Sequence, residues 1–294
     1  MKGPEMAKKA NGCSLLDAGV DWSTCTFPDG LRARFAHSKA EQLLSQSQSK
    51  GFDVSDSNRL GFVGQRCEGL FYGWRGDLLM VICSGEVAAA HSSFFLGLAG
   101  NVSRLDLAVT LRDDEVDRDW AEIALKQCSY DGRVDSGLLT TRIIQGTPNG
   151  TTLYIGARSS DRFIRIYDKT AESKGVYPER SWRWEIEYKK PRAGIVAARL
   201  LRLGAGPNAV IDVVRAGLAD LRVQLPYGNP GSEWVPQVIP RQSNDQTRLA
   251  YTTRVVRPFL QKLIDRVGEL RVRQALSRFG FADCERRFTF WSAA

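Results

Sequence analysis

The chain has 294 residues, 43% of them hydrophobic and 25% charged, and no apolar run approaches the length of a membrane span. This composition excludes disordered, fibrous and membrane-spanning proteins. The net charge of +8 is supplied mostly by arginine, whose guanidinium group binds phosphate in a bidentate manner. The charge therefore favours a polyanionic partner such as nucleic acid, although a basic surface without a specific partner explains it equally well.

Alternating strands and short helices follow one another along the first two thirds of the chain. After an expected flexible leader at 1–18, we predict a strand at 19–27, a helix at 38–50, a hairpin at 69–84, a helix at 86–98, a strand at 103–111, a helix at 117–128 and strands at 137–144, 151–156, 162–168 and 182–189. This order predicts an α+β fold with a largely antiparallel central sheet and flanking helices.

The remainder of the chain has a different character. Helices are predicted at 193–203, 208–225 and 253–279, separated by a Pro/Gly-rich loop at 226–247. We therefore expect a sheet domain at 19–192 and a mainly helical C-terminal region at 193–294. This region has a strong basic excess that suits DNA phosphates, although a solvated helix face accounts for it equally well. The basic residues expected to bind DNA there are Arg257, Lys262, Arg266 and Arg273.

The six cysteines, scattered without close pairs, lack zinc-site spacing and follow no export signal. We therefore expect buried, reduced thiols in a cytoplasmic protein. With only two histidines, His37 and His91, the chain cannot supply a histidine metal motif or a nucleophile with a histidine base. Chemistry in this protein must rest on carboxylates, cations and tyrosines.

Alternation of side chains places several polar groups on shared strand faces. Alternation that continues from Arg162 to Lys169 places Arg165, Tyr167 and Lys169 on one face. Glu185 and Glu187 share one face of the strand at 182–189. Asp106 lies opposite the apolar face of the strand at 103–111. If these strands belong to one sheet, a single polar face carries all six groups.

Such a face suits attack on a phosphodiester by a tyrosine hydroxyl. The developing charge needs Mg²⁺ or Mn²⁺ and cationic side chains, and carboxylates are the oxygen ligands that these ions take. The simpler interpretations are a half-buried strand tyrosine and cross-strand Arg–Glu pairs. Asp106 is harder to explain in this way because aspartate is depleted in strands. Tyr154 is a second candidate nucleophile, and strand faces do not decide between it and Tyr167.

The run GTPNGTTLYIGARSSDRFIRIYDKTAE, preceded by SRLDLAVT and followed by RWEIEYK, resembles the replication initiation factor family. These are rolling-circle initiators of staphylococcal-type plasmids and related filamentous phages. The resemblance covers about residues 19–192 and is most specific in the T-x-Y-x-G-x-x-x-S-x-x-x-x-R-x-Y-D-K run and its spacing to R-x-E-x-E. Length and basicity resemble a filamentous-phage replication protein of the gene II kind.

The resemblance implies a nuclease-relaxase-like fold in which carboxylates replace histidines at the metal. By this likeness Tyr167 is the nucleophile, Lys169 assists at the phosphate, and Asp106 and Glu185 bind the metal. Relatives often carry a second acid four residues after the strand aspartate, where this chain has Thr110. Glu187 or Asp168 is therefore expected to complete the ligand set.

The activity so implied is origin-specific nicking through a 5′-phosphotyrosine, followed by rejoining of the displaced strand into a circle. We expect Arg165 to contribute to catalysis and Arg158 and Arg162 to bind DNA. The expected partners are double-stranded origin DNA, single-stranded DNA, a host helicase and polymerase, and a second copy of the chain as a homodimer, in the bacterial cytoplasm without a membrane. The alternatives are a metal-dependent nuclease that uses water and a non-catalytic DNA-binding regulator.

Overall fold

The computed structural model describes residues 12–227, apart from 131, 133, 136, 138 and 149, together with residues 265 and 266. The chain divides into two units, Met1–Gln237 and Val238–Ala294. Asp265 and Arg266 are helical and exposed, in agreement with the predicted helix at 253–279. The rest of that helix, and nearly all of the predicted loop at 226–247, lie outside the described residues.

An antiparallel sheet forms the centre of the first unit. Its strands are β1 (Cys13–Pro28), β2 (Ser55–Arg59), β3 (Phe62–Cys67), β4 (Leu70–Arg75), β5 (Leu78–Ser84), β6 (Asn101–Asp113), β7 (Thr141–Thr147), β8 (Gly150–Ile155), β9 (Arg162–Asp168) and β10 (Ser181–Lys189). The ten strands are ordered β2-β3-β4-β5-β1-β6-β10-β9-β8-β7, and every described pairing is antiparallel. The predicted fold class is confirmed.

Helices flank this sheet. They are α1 (Leu31–Ser49), α2 (Gly85–Leu98), α3 (Trp120–Ser129), α4 (Lys169–Glu172), α5 (Lys190–Arg202) and α6 (Pro207–Ala219). In α2, Phe95 packs on Phe27 of β1, and Trp120 of α3 packs edge-on against Trp184 of β10. Both sheet residues point away from Asp106, so these helices cover the opposite face of the sheet. None of the described helices is long and apolar enough to cross a membrane.

Two predicted boundaries near the start of the chain are wrong. Strand β1 begins at Cys13, not Gly19, because residues 13–18 pair with the end of β6 and tertiary pairing replaces the weak local signal. Helix α1 begins at Leu31, seven residues before the predicted cap at Ser38. Its N-cap is Gly30, and three of its buried positions are alanines, so neither a polar cap nor a strong apolar stripe marks the start.

The predicted elements omit the hairpin of β2 and β3, which lies at one edge of the sheet. Exposed polar residues make up β2, so it has no apolar alternation to read. The strands from β3 to β5 enclose a small hydrophobic cluster formed by Phe62, Phe71, Met80 and Ile82, with Trp22 of β1 packed against it. Gly64 and Gly73 pair across β3 and β4, and this contact is too close for a side chain at either position.

Gly64→Ala is expected to destabilise the protein by about 2 kcal/mol or more, because the new Cβ would lie 1.9 Å from the carbonyl oxygen of Tyr72. The matched control is Gly97→Ala in α2, where nothing lies within 4 Å of the added Cβ. Alanine there is expected to be neutral or to stabilise the helix by up to about 1 kcal/mol. Urea unfolding of both variants measures the difference, and equal effects would contradict the close approach of β3 and β4.

The compact unit continues past the expected domain boundary at residue 192. The buried side chains Val196 and Leu200 of α5 and Val214 and Leu218 of α6 belong to its core. At Gly217 of α6, an added Cβ would meet the hydroxyl of Tyr188 on β10 at 2.3 Å. Helices α5 and α6 therefore pack directly on the sheet that carries the candidate site.

Candidate active site

Three rows of side chains cross the sheet on the face that carries Asp106, which we call the site face. Residues paired directly across antiparallel strands point to the same side of the sheet. The first row runs Asp17, Thr110, Arg183, Tyr167, Thr152, the second Gly19, Ala108, Glu185, Arg165, Tyr154, and the third Trp22, Asp106, Glu187, Phe163. The predicted convergence of Asp106, Arg165, Tyr167, Glu185 and Glu187 on one sheet face is therefore observed.

Tyr167 lies near the end of β9 and lines a cavity of about 660 Å³. Burial raises the pKa of its phenol above the ordinary value, and Arg183, directly opposite on β10, counteracts this shift. The negative charges of Glu185, Glu172 and Asp21 add to the upward shift in pKa. In the described arrangement Tyr167 is therefore a protonated phenol at neutral pH.

The prediction that Lys169 continues the strand face is wrong. Strand β9 ends at Asp168, and Lys169 begins α4. The Asp168 side chain caps this short helix by accepting a hydrogen bond from the backbone N–H of Ala171 at 2.9 Å. Lys169 nevertheless stays at the site, with its ammonium 5.8 Å from the centre of the Tyr167 ring. Its Nζ also pairs with Glu172 at 2.6 Å.

The predicted carboxylates are held by cations. Asp106 is 1% exposed and accepts hydrogen bonds from Nε and Nη2 of Arg104 at 2.9 and 2.5 Å. Glu185 is 2% exposed and pairs with Arg165, its direct neighbour on β9. Glu187 lies 2.9 Å from Nζ of Lys189 and 3.4 Å from Nε of Arg104. Each carboxylate therefore has at least one cationic partner.

Burial raises the pKa of Asp106 to about 7, although Arg104 acts against this shift. The charges of Glu185 and Glu187 raise the pKa of Asp106 further, because nearby like charges disfavour its ionised form. Burial also raises the pKa of Glu185, and Arg165 opposes the change. Buried carboxylates such as Asp106 and Glu185 are stable in their ionised form only when cations are close to them.

The carboxylates match the donors that Mg²⁺ and Mn²⁺ prefer, but their oxygens face guanidinium and ammonium groups. Within the part of the chain that the structure describes, no three His, Cys, Asp or Glu side chains are arranged to hold a metal ion. The donor set therefore fits a divalent cation in chemistry but not in its present arrangement. A metal would have to replace Arg104 and Arg165 at Asp106 and Glu185.

Thr110, at the position where the family resemblance implies an acid, is fully buried and accepts a hydrogen bond from Nη1 of Arg183 at 3.3 Å. Asp21 of β1 accepts another from Nη2 of Arg183 at 2.6 Å. The β1–β6 register shifts between Val20 and Trp22, so Asp21 is the extra residue of a β-bulge. Bulges of this kind re-aim a side chain, and here the bulge brings Asp21 to Arg183.

Two other tyrosines lie near this site. Tyr154 is on the site face, where its ring stacks on Phe163 with 5.6 Å between the ring centres. Tyr177 follows α4 and lines the same cavity as Tyr167, with the Lys169 ammonium 5.2 Å from its ring centre. Tyr177 is a candidate that the sequence analysis missed, because it lies in a polar loop without strand alternation.

Of the residues predicted to bind DNA, Arg158, Arg162 and Arg266 belong to the part of the chain that the structure describes. The guanidinium of Arg158 lies 5.8 Å from the ring centre of Phe163 at the margin of the site face. Arg162 points to the other face and donates to the carbonyl of Gly217 and to Asp220, both at 3.0 Å. Arg266 is exposed in a helix of the second unit. Arg257, Lys262 and Arg273 lie outside the described residues.

Arg183 and Asp21 are site residues to which sequence reasoning assigned no role. Arg183 is the first residue of the R-x-E-x-E motif, and its alternation with Glu185 placed it on the correct face. Asp21 interrupts an apolar strand just as Asp106 does, and this signal singles it out. The bulge that directs the Asp21 side chain toward Arg183 is not indicated by any pattern in the sequence.

Known proteins are similar to the central part of this chain. The sequence model of the family described as replication initiation factor matches residues 100–216. A replication initiation protein of Staphylococcus aureus is 39% identical over 94 residues, which cover 30% of this chain and 26% of that protein. A second, also from Staphylococcus aureus, is 37% identical over 93 residues, with the same coverage of both chains. The match therefore spans about a quarter of these relatives.

Among solved structures, a rolling-circle replication initiator protein from Geobacillus stearothermophilus aligns with 74% of this chain and 89% of its own. The sequence identity is 20% and the TM-score 0.43. The family match includes β6, β9 and β10, the strands that carry Asp106, Tyr167 and Glu185. The resemblance predicted from the motifs is confirmed by the family match over residues 100–216.

Proposed function

We propose that this protein nicks one strand of DNA by attack of Tyr167 and so starts rolling-circle replication. The observation that carries this proposal is the position of Tyr167 in an open cavity, directly opposite Arg183 and beside Lys169. A hydroxyl nucleophile with cations on two sides is what attack on an anionic phosphodiester needs. The match to replication initiation factors over the same strands supports this assignment.

In the proposed step the Tyr167 oxygen forms a bond to phosphorus while the bond from phosphorus to O3′ breaks. The phenol loses its proton, and the leaving O3′ takes the electron pair of the broken bond and gains a proton. One phosphodiester replaces another, so the energy of the bond is kept for later rejoining. The free 3′-hydroxyl would prime a polymerase, and the protein would remain on the 5′ end.

The proposal includes a divalent cation, Mg²⁺ or Mn²⁺, held by Asp106, Glu185 and Glu187. When bound, such an ion would neutralise charge that develops on the phosphate oxygens. Lys169 would bind the phosphate, and Arg165, once released from Glu185, would be free to do the same. Origin DNA, a host helicase and polymerase, and a second copy of the chain remain proposed partners.

The test uses the purified protein, Mn²⁺ and a random-sequence library of single-stranded oligonucleotides labelled at the 3′ end. Because the protein is expected to stay on the 5′ end of the downstream fragment, that label reports the adduct. Label that remains on the protein in denaturing gels, with the attached DNA sequenced, would support the proposal. Nicking without an adduct would identify a nuclease that uses water, and binding without nicking would identify a DNA-binding regulator.

Metal dependence gives a second expected outcome. Chelation should stop adduct formation, and Asp106→Asn and Glu185→Gln should each slow it by about 100-fold or more, since each removes a charge that holds the cation. Asp56→Asn on exposed β2 is the matched control for loss of an acid and should keep the wild-type rate. Calorimetric titration with Mn²⁺ should show binding that is lost in Asp106→Asn. Wild-type rates in both site variants would remove these residues from the metal site.

A further inference from the structure

Arg183 is an unusual residue for the centre of a sheet, because it is a charged side chain only 6% exposed. A buried guanidinium persists only when its charge is neutralised and its donors are satisfied. Asp21 supplies an oxygen 2.6 Å from Nη2, and Asp17 supplies a more distant one, 3.7 Å from Nη1. The charge of Arg183 is therefore compensated by the bulged strand β1.

The hydrogen bonds of Arg183 are less complete than its charge pairing. Nη1 donates to Thr110 and Nη2 to Asp21, but the buried Nε has no acceptor among the described residues. The buried Nε of Arg165 also lacks an acceptor. Unsatisfied buried donors are rare and need an explanation, such as a ligand that completes them.

Both of these unsatisfied donors belong to residues that line the cavity with Tyr167. Within the described ranges, the other buried side-chain atoms without a partner are Nε of Arg112 and Oη of Tyr188, and neither residue lines this cavity. Arg165 of β9 and Arg183 of β10, each with a buried donor that lacks an acceptor among the described residues, thus line the same cavity. Guanidinium donors bind anions that have several acceptor oxygens, and a phosphodiester provides two non-bridging oxygens.

We propose that Arg183, held in place by Asp21 and Thr110, binds a non-bridging oxygen of the scissile phosphodiester beside Tyr167. This inference rests on the proposed function, whose nucleophile it shares. Arg183 contacts the substrate and is therefore a catalytic residue, whereas Asp21 is a positioning residue that acts through it. The Thr110 hydroxyl accepts an Arg183 hydrogen bond without adding a negative charge beside the phosphate.

The phosphate contact and the chemical step are tested separately. Binding of a single-stranded oligonucleotide library is measured in Tyr167→Phe protein, with and without Arg183→Gln, across a range of salt concentrations. Loss of one phosphate contact should lower affinity and reduce the slope of log affinity against log salt by about 0.7. In protein with Tyr167 intact, Arg183→Gln should slow single-turnover adduct formation by about 100-fold.

Arg202→Gln is the matched control, since it removes an exposed arginine at the end of α5, outside the cavity. It should keep the wild-type adduct rate. Arg183→Lys should keep the salt slope, because its charge remains, yet stay well below the wild-type rate, because lysine lacks the fixed guanidinium donors. This variant also covers the case in which Arg183→Gln does not fold, as judged by circular dichroism.

Asp21 is tested through rescue. Asp21→Ala should lower the adduct rate by about tenfold through loss of a charge-assisted hydrogen bond, with the salt slope unchanged. Asp21→Asn keeps an oxygen acceptor and should restore most of the rate. Equally slow adduct formation in Asp21→Ala and Asp21→Asn would indicate a general structural effect and would overturn the positioning role.

The outcomes separate this inference from the proposed function. If wild-type protein forms no adduct but Arg183→Gln still lowers affinity and salt slope, the nicking function fails and the phosphate contact stands. If wild-type protein forms the adduct while Arg183→Gln or Arg183→Lys keeps the wild-type rate and slope, the inference about Arg183 is overturned and the nicking function stands.

Discussion

Replacing Tyr167 with phenylalanine is expected to abolish the covalent adduct, with a loss of about 10⁴-fold or more in rate, because no other group at its position can form the bond to phosphorus. The substitution removes one oxygen and keeps the ring, so packing against Lys169 is preserved. The measurement is single-turnover adduct formation on denaturing gels, followed by mass spectrometry of the peptide that carries the nucleotide. That peptide should contain Tyr167.

Tyr154→Phe and Tyr177→Phe are the controls for this prediction. Both tyrosines lie near the site, but Tyr154 is stacked on Phe163, and Tyr177 lies in the loop after α4. The rate of adduct formation in each control should stay within about threefold of the wild-type rate, since neither hydroxyl forms the bond to phosphorus in the proposed step. An adduct that survives in Tyr167→Phe and disappears in Tyr177→Phe would move the nucleophile to the loop.

Replacing Asp113 with asparagine is expected to destabilise the protein by about 3 kcal/mol at neutral pH, because Asp113 is the acceptor of a buried network. Its carboxylate lies 2.6 Å from Nε and 2.8 Å from Nη2 of Arg118, and it also accepts from Nε1 of Trp120 at 3.3 Å. Trp120 packs on Trp184, which lies between Arg183 and Glu185 on β10. The network therefore supports the site strand from behind.

The destabilisation should depend on pH with a defined sign. Burial by itself raises the pKa of Asp113, but Arg118 and the backbone N–H groups of Val116 and Glu115 outweigh burial, and the net pKa is lowered. A lowered pKa in the folded state means that the stabilisation is present above the unfolded value near 4 and is lost as pH falls through the folded value. The wild-type advantage should therefore be largest at neutral pH and shrink in acid.

Urea unfolding of wild type and Asp113→Asn at neutral and acidic pH tests this prediction. Asp161→Asn is the control, since Asp161 pairs with Arg192 at 2.9 Å but its side chain is 47% exposed. Such surface pairs contribute at most about 1 kcal/mol. A pH-independent difference for Asp113→Asn would show that its charge is not what holds Arg118 and Trp120.

The sequence predicted which candidate site residues share a face of each strand. Side-chain alternation in β9 and β10 correctly grouped Arg165 with Tyr167 and Glu185 with Glu187, because the period of a strand is a local property. Alternation cannot give the partner strand or the register. That Glu187 lies opposite Asp106, and Arg183 opposite Tyr167, depends on pairing between segments far apart in the chain.

The two errors have different origins. The alternation that predicts Lys169 on the strand continues through it, but the local Asp168 cap starts a helix there. The start of β1 was missed because residues 13–18 are held by β6 more than by their own propensity. A local cap decides the backbone in the first case, and pairing with a distant strand decides it in the second.

By itself, the sequence determined the fold class, the family resemblance and the faces of the site strands, since periodicity and motif spacing are encoded residue by residue. Only the tertiary structure decided which charges meet. Arg104 meets Glu187, Glu185 faces Arg165, and the bulge at Asp21 brings a carboxylate to Arg183. Ion pairing in a buried site depends on distances of a few ångströms between strands, and the register that sets those distances is a property of the folded sheet.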